Sequence, residues 1–135
     1  MQQLREQQRE IEALRREIAR QEAERILDQA REVEGIPTLS ALVDAADMNS
    51  LREMADLFRN KLGSAVVVLG AVIQGKPALV AAATPDLVAR GVNAEEMIRE
   101  VAKVVGGGGG GRADMAQAGG RDPARLQEAL SLVPR

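Results

Sequence analysis

An unbroken run of six glycines, residues 106–111, most constrains how this 135-residue chain can fold. Glycine has no Cβ and tolerates positive φ angles, so such a run exposes its backbone N–H groups and permits close approach to a ligand. A glycine run is also typical of a flexible linker. This run contains no serine, however, and the residues that follow it, Met115 and Ala116, are able to enter a core. Two interpretations stay open: a linker, or a bare backbone surface.

The composition narrows the possible functions. Cys and His are absent, which excludes disulfides, zinc sites built on thiolate or imidazole, and Cys–His or Ser–His nucleophiles. The 18 basic and 20 acidic residues give a formal charge of −2, so there is no global basic surface for nucleic acid. Only the segment from residue 106 onward is positive, with 4 basic and 3 acidic residues. Any nucleic acid must therefore bind a local patch.

The scarcity of aromatic residues and the absence of long apolar runs and of cysteine bear on the core of the domain and on its cellular location. Phe58 is the only aromatic residue, so the core must be aliphatic and there is no aromatic platform on which bases could stack. No apolar run approaches the roughly 20 residues that a membrane span needs. The lack of cysteine fits a cytoplasmic protein, and we expect no membrane partner.

Residues 1–34 are predicted to form one long helical arm, because they contain no Gly or Pro. Apolar residues recur there at heptad spacing, with one more in the complementary position. These residues are Leu4, Ile11 and Ile18, with Leu14 between them. We call them the arm seam. Such a narrow stripe favours pairing with another helix, as in a homodimer, over a solvated charged helix. Gly35 is expected to end the helix.

Residues 35–135 are predicted to form a small globular α/β domain with the order β-α-β-β-α-α. The expected strands are residues 36–43, 64–70 and 77–83, and Pro37 suggests that the first lies at a sheet edge. Helices are expected after the capping residues Asp47, Thr84, Asn93 and Asp122. The terminal residues 132–135, LVPR, spell the kind of sequence used as an engineered protease site, and they equally read as a natural helix end that runs into a proline stop.

The glycine run and its flanks also resemble a known family. The stretch GGGGGGRADMAQAGG, preceded by AEEMIREVAKVV and by KLGSAVVVLG, is similar to the C-terminal domain of alanyl-tRNA synthetases. That domain is the DHH-associated domain shared with the DHH phosphoesterases. The resemblance covers about residues 36–133, and the arm resembles the end of the helical region that leads into this domain.

The resemblance implies a non-catalytic, cytoplasmic tRNA-binding domain. In the family, the domain contacts the outer corner of the tRNA, called the elbow, where the D and T loops meet. It helps to couple aminoacylation with editing of mischarged tRNA, and its arm contributes to dimers in some members. The parent enzymes use ATP, Mg²⁺ and an editing-site Zn²⁺, but those sites belong to other domains. We therefore expect tRNA-Ala as the partner, no cofactor, and no enzymatic activity of this chain alone.

The resemblance also assigns the motif of residues 106–120 to the RNA surface. Its glycines are expected to present backbone to the tRNA, Arg112 to contact a phosphate or a loop base, and Asp114 to play a structural role, either orienting Arg112 or capping a turn. The matching positions are Gly106, Gly107, Gly108, Gly109, Gly110, Gly111, Arg112, Asp114, Gly119 and Gly120. Further phosphate contacts are expected from basic residues near the motif or along the chain, namely Lys76, Lys103, Arg121 and Arg125.

Two alternatives to a tRNA-binding domain stay open. The first is an accessory substrate-binding domain of a DHH-family phosphoesterase, in which the related module closes over a nucleotide. The second is a purely dimerising module, in which the arm seam pairs two copies and the globular part only supports it. The long helical arm favours the synthetase over the phosphoesterase.

Overall fold

The structure is a computed structural model that describes residues 2–33 and 35–131. In chain order the elements are α1 (Gln2–Leu27), β1 (Arg31–Val33), β2 (Ile36–Leu42), α2 (Met48–Leu62), β3 (Val66–Ile73), β4 (Lys76–Ala83), α3 (Pro85–Ala89), α4 (Ala94–Val104), β5 (Gly108–Gly111), β6 (Met115–Gly119), a 3-10 turn (Pro123–Arg125) and α5 (Leu126–Ser131). The predicted α/β fold with an N-terminal helix is confirmed. The helix end predicted for residues 132–135 lies outside the described residues.

One six-stranded mixed sheet organises the domain, in the order β1-β2-β3-β4-β6-β5. β2 and β3 are parallel and are connected through α2, whereas every other neighbouring pair is antiparallel. β3 and β4 lie at the centre and are buried along almost their whole length. This explains their continuous apolar sequences, because a strand covered on both faces has no polar side to alternate with.

Two hydrophobic clusters cover opposite faces of the sheet, since successive strand residues point to opposite sides. Val68 of β3 lies in the cluster formed with α4 and α5, which we call the α4 face. Its neighbour Val67 lies in the cluster formed with α2, which we call the α2 face. Phe58 of α2 is only 1% exposed, so its predicted place in the core is confirmed. Ile26 and Leu27 at the end of α1 pack against the same α2-face cluster.

Several predicted helix boundaries are confirmed by their capping geometry. The Asp47 carboxylate accepts a hydrogen bond of 2.7 Å from the Ser50 N–H and begins α2. The Asn93 side-chain oxygen accepts one of 3.2 Å from the Glu96 N–H and begins α4. Gly63 ends α2 with a φ angle of +83°, a left-handed conformation that costs glycine little.

The predicted end of the arm helix is wrong. α1 ends at Leu27, and the chain then forms strand β1 where the absence of Gly and Pro had predicted continued helix. Gly35 therefore caps no helix; it lies between β1 and β2 with a φ angle of +81°. The edge position of Pro37 is also wrong, because Pro37 pairs with Glu32 of β1. Pro37 precedes the first β2–β3 pair, so its missing N–H costs no bond to β3.

The predicted order β-α-β-β-α-α lacks three strands, since β1, β5 and β6 were not expected. The glycine run forms β5 as an edge strand of the sheet and pairs antiparallel with β6. β6 in turn pairs with β4. The run is therefore part of the folded domain, and the linker interpretation is wrong.

Candidate nucleic-acid interface

In the β5–β6 hairpin, strand β6 has one buried face and one open face. Ala116 and Ala118 of β6 are buried on the α4 face, whereas Gln117 and Gly119 are exposed. Gly110 lies opposite Gln117, and Gly108 lies opposite Gly119. Directly opposite residues of an antiparallel pair share a face, so these two glycines belong to the open side. We call the four residues Gly108, Gly110, Gln117 and Gly119 the bare strip.

The alternate glycines are required by the fold itself. A Cβ added to Gly107 would lie 1.7 Å from the Gly119 carbonyl oxygen, and one added to Gly109 would lie 2.3 Å from the Gln117 carbonyl oxygen. At Gly111 the nearest atoms are backbone at 2.6 Å. No side chain fits these positions, because the neighbouring strand occupies the space that its Cβ needs. Three glycines of the run are thus explained by close approach of β5 to β6.

Among the described residues, nothing gives Gly108 and Gly110 such a reason. A Cβ at either position meets nothing within 4 Å, and neither residue has a left-handed φ angle. An L side chain is therefore compatible with both the space and the backbone conformation. Contacts with described residues therefore explain the glycines at every second position of β5, Gly109 and Gly111. They do not explain the glycines at Gly108 and Gly110.

One end of the bare strip opens into a cavity of about 390 Å³. Its lining residues come from α2, from β5 and β6, and from the turn between these strands, and they are Arg52, Gly110, Gly111, Arg112, Met115, Ala116 and Gln117. The Arg112 side chain is 79% exposed, and its Nε lies 3.6 Å from Asp114 Oδ1. The two side chains form an exposed ion pair, which adds little stability.

Arg52 was not among the residues predicted from the sequence. It is an exposed residue of α2, and its place in the cavity depends on β5 and β6, which the sequence did not reveal. One feature of the sequence could have pointed to Arg52. Arg52 lies seven residues before Arg59, so the two side chains share one face of the helix.

Arg59 ties α2 to the turn that carries Arg112. The Arg59 side chain is only 16% exposed, and its Nη1 donates hydrogen bonds to the carbonyl oxygens of Asp114 at 3.1 Å and Ala83 at 3.3 Å. The Ala83 N–H also donates to the Asp114 carbonyl at 2.9 Å, and the N–H of Ala94 donates to the Ala113 carbonyl at 2.9 Å. The turn is therefore held by α2, by the end of β4 and by the start of α4.

The glycines at the other end of the motif use their N–H groups internally. The Gly106 N–H donates to the Lys103 carbonyl at 3.2 Å, and the Gly107 N–H donates to the Ala102 carbonyl at 2.9 Å. These bonds close the carboxyl end of α4, where the helix dipole is negative. The Gly120 N–H donates to the Pro77 carbonyl at 3.2 Å. A nest of free N–H groups for an anion is not available at these three glycines.

The predicted basic residues do not form one patch. Lys103 and Arg121 lie near the Gly106 end: Gly106 bonds to the Lys103 backbone, and Arg121 donates its N–H to the Val105 carbonyl at 2.8 Å. Lys76 begins β4, whereas the Arg112 turn lies beside the end of β4. At about 3.3 Å per strand residue, these two ends are roughly 20 Å apart.

Arg125 is already paired with a carboxylate. Its Nε and Nη2 each donate to Glu128 at 3.1 Å, and the hydrogen bond from Arg125 lowers the pKa of Glu128 below its ordinary value.

The arm seam lies far along the chain from all these residues, on α1. Its four side chains, Leu4, Ile11, Leu14 and Ile18, are 48% to 63% exposed. Among the described helices, none is long and apolar enough to cross a membrane.

The fold and the glycine motif define a known domain class. Residues 35–135 match the DHHA1 domain family, and the chain belongs to that family. The structure superposes on the C-Ala domain of alanyl-tRNA synthetase from Aquifex aeolicus with a TM-score of 0.70 and 34% identity, over 78% of this chain and 94% of that one. The resemblance inferred from the sequence is confirmed.

The chain is also similar to several alanine–tRNA ligases. The chain is 54% identical over 130 residues to the alanine–tRNA ligase of Geobacillus thermodenitrificans, covering 96% of this chain and 15% of that protein. It is 49% identical over 126 residues to the alanine–tRNA ligase of Chloroflexus aurantiacus, covering 93% of this chain and 14% of that protein. The chain thus spans about 15% of the length of the curated relatives it matches. A DHH domain from a family of ribosomal proteins, 12% identical with a TM-score of 0.52, shares the fold alone.

Proposed function

We propose that this domain binds tRNA-Ala at the elbow, as a non-catalytic, cytoplasmic part of an alanine–tRNA ligase. The names of its relatives supply the class of partner. The observation that carries the proposal is the bare strip, because no described residue requires glycine at Gly108 or Gly110. A polynucleotide backbone that lies against β5 and β6 supplies that reason, since a side chain at either position would hold it away.

The proposed binding depends on the shape of the RNA more than on its sequence. The domain lacks an exposed aromatic ring to stack on a base, since its only aromatic residue, Phe58, is in the core. Its charge of −2 supplies no general attraction, so few phosphates are contacted and the affinity of the isolated domain is low. In a longer enzyme with other tRNA-binding parts, linkage raises the effective concentration and compensates for that weakness. Such linkage is how we expect the domain to help couple aminoacylation and editing.

The first test replaces Gly110 with valine and measures binding of folded tRNA-Ala. Valine is compatible with an extended strand, so the fold should persist while the RNA is pushed away. A matched variant, Ala13→Val, adds comparable bulk to an exposed position of α1. A minihelix that lacks the elbow serves as the second RNA. We expect the unmodified chain and Ala13→Val to bind full tRNA but not the minihelix, and Gly110→Val to bind neither.

Two results would contradict the proposal. If Gly110→Val binds tRNA as tightly as the unmodified chain does, the RNA does not lie on the bare strip. If the minihelix binds as tightly as the whole tRNA, the elbow is not the contact. Circular dichroism of each variant separates a loss of binding from a loss of folding.

We also propose that the arm seam pairs two copies of the chain. Four large apolar side chains at heptad spacing are exposed on α1, and a second copy would bury them in a short coiled coil. The double variant Ile11→Glu and Ile18→Glu should halve the mass measured by light scattering. Ala13→Glu, outside the seam, should leave the mass unchanged. A monomeric mass for the unmodified chain over a wide concentration range would refute this pairing.

A further inference from the structure

We propose that Arg52 and Arg112 together bind one phosphodiester group of the RNA backbone, beside Gly110. This inference rests on the proposed function and assigns a role to Arg52, a residue outside the glycine motif. Both arginines line the cavity of about 390 Å³ at the end of the bare strip, together with Gly110. They reach it from two different elements, since Arg52 belongs to α2 and Arg112 follows β5.

Both guanidinium groups have donors available for a ligand. The Arg52 side chain makes no hydrogen bond or ion pair with any described residue. The Arg112 side chain is paired with Asp114 alone among those residues, through a long 3.6 Å contact to its Nε. A guanidinium carries five N–H donors in a planar fork, so a phosphate can bind the remaining Arg112 donors while Asp114 stays in place.

Helix α2 fixes the position of Arg52 relative to Arg112. Arg59 donates to the Asp114 carbonyl in the Arg112 turn, and Arg52 lies seven residues earlier on the same helix face. Two helical turns span about 10.5 Å, and a single helix holds this separation rigidly. Arg59 thus serves as a positioning residue. Helix α2 places Arg52 at the cavity wall, where its guanidinium forms no ion pair with a described residue.

The lining of the cavity favours a phosphodiester over a base. Its two cationic groups are planar bidentate donors, which match phosphate oxygens in geometry. None of its residues is aromatic, so no ring is present on which a base could stack. Gly110 contributes backbone without a side chain, and a ribose-phosphate chain can therefore pass close to β5.

The test is a salt series of tRNA-Ala titrations with Arg52→Ala, Arg112→Ala and the double variant. Each single change should weaken binding about tenfold, and the double variant should reduce the magnitude of the slope of log K against log salt by about 0.7 to 0.9, the value for one lost phosphate contact. Because both residues bind the same phosphate, the double variant should lose less than the product of the single losses. Arg52→Lys should keep the salt slope and still bind more weakly, since it loses the bidentate geometry.

Arg9→Ala is the matched control, because Arg9 is an exposed cation of α1 that belongs neither to the glycine motif nor to the arm seam. It should leave the affinity nearly unchanged. If Arg112→Ala weakens binding and Arg52→Ala behaves like Arg9→Ala, the paired site is refuted while the proposed function stands. If the two losses multiply, the arginines bind separate phosphates and the inference fails. If the unmodified chain does not bind tRNA at low salt, the proposed function and this inference fail together.

Discussion

Exchanging two neighbouring glycines for alanine should change stability in opposite directions. At Gly109 the new Cβ would lie 2.3 Å from the Gln117 carbonyl oxygen and 2.4 Å from the Ala118 Cβ, whereas nonbonded carbon atoms prefer about 3.5 to 4.0 Å. The strands must move apart by more than about 1 Å to relieve this overlap. Overpacking of this kind costs about 1 to 3 kcal/mol, and occasionally more.

At Gly110 the same methyl group enters open space. Nothing lies within 4 Å of its Cβ position, and the φ angle is not left-handed. Alanine then acts mainly on the unfolded chain, by reducing its conformational entropy, and stabilises the protein by about 0.4 to 1 kcal/mol. The two variants should therefore differ in free energy of unfolding by about 1.5 to 4 kcal/mol, the sum of the two effects.

Urea unfolding monitored by circular dichroism measures this difference, because the chain has no Trp or Tyr to report by fluorescence. The slope m should be the same for both variants, so that a change in midpoint reports stability alone. Equal midpoints for Gly109→Ala and Gly110→Ala would refute the reasoning, since they would mean that the two glycines occupy equivalent surroundings. Gly110→Ala less stable than Gly109→Ala would reverse the assigned faces of β5.

Three further predictions concern the fold that supports the site. Phe58→Ala should lower the free energy of unfolding by about 3 to 5 kcal/mol, because a fully buried ring is lost; a loss under about 1 kcal/mol would contradict its place in the core. Asn93→Ala should cost about 1 kcal/mol through the lost cap to the Glu96 N–H, whereas Asn93→Asp should cost little. The hydrogen bond from the Ser50 N–H lowers the pKa of Asp47, so its stabilisation is complete above the unfolded-state pKa and is lost as pH falls through the folded-state value. Asp47→Asn should therefore lose less stability than the unmodified chain between about pH 5 and about pH 2, and identical pH profiles would contradict this.

Two kinds of local signal gave correct predictions of the fold, namely helix-capping side chains and continuous apolar strands, whereas the signals at Gly35 and Pro37 gave wrong ones. Asp47 and Asn93 are capping residues whose side chains bond the first turn of the helix that follows, and that chemistry is visible in a few adjacent residues. The central strands β3 and β4 were recognisable because burial on both faces leaves only apolar residues. These features needed no knowledge of distant parts of the chain.

The missed strands lacked any such signal. β5 is four glycines, which have neither hydrophobic alternation nor β-propensity. β1 has only three residues, Arg31–Val33, and follows a helix without an intervening Gly or Pro. Each of these strands pairs with the strand that follows it, β6 for β5 and β2 for β1. Such pairing overrides local propensity, and β6 is itself held in the sheet by β4, a strand that lies far from it in the sequence.

Only part of the candidate site could be predicted from the sequence, because packing brings some of its residues together from separate segments. Arg112 and the glycines stood out within one continuous motif, whereas Arg52 is brought to them only by the packing of α2 against the sheet. The sequence also could not separate the glycines into two kinds. That distinction between Gly109 and Gly110 depends on the register with β6, which a uniform run of identical residues does not encode.

The placement of β5 at the sheet edge also bears on the solubility of the domain. An exposed edge strand is in general a template on which another chain can add, and extended cross-β assembly follows when side chains of successive strands interlock. An edge of four glycines offers no side chains to interlock. At the opposite edge, β1 is three residues long and carries the charged Arg31 and Glu32. Both margins of the sheet thus resist fibril growth, and the glycine edge does so without relying on charge.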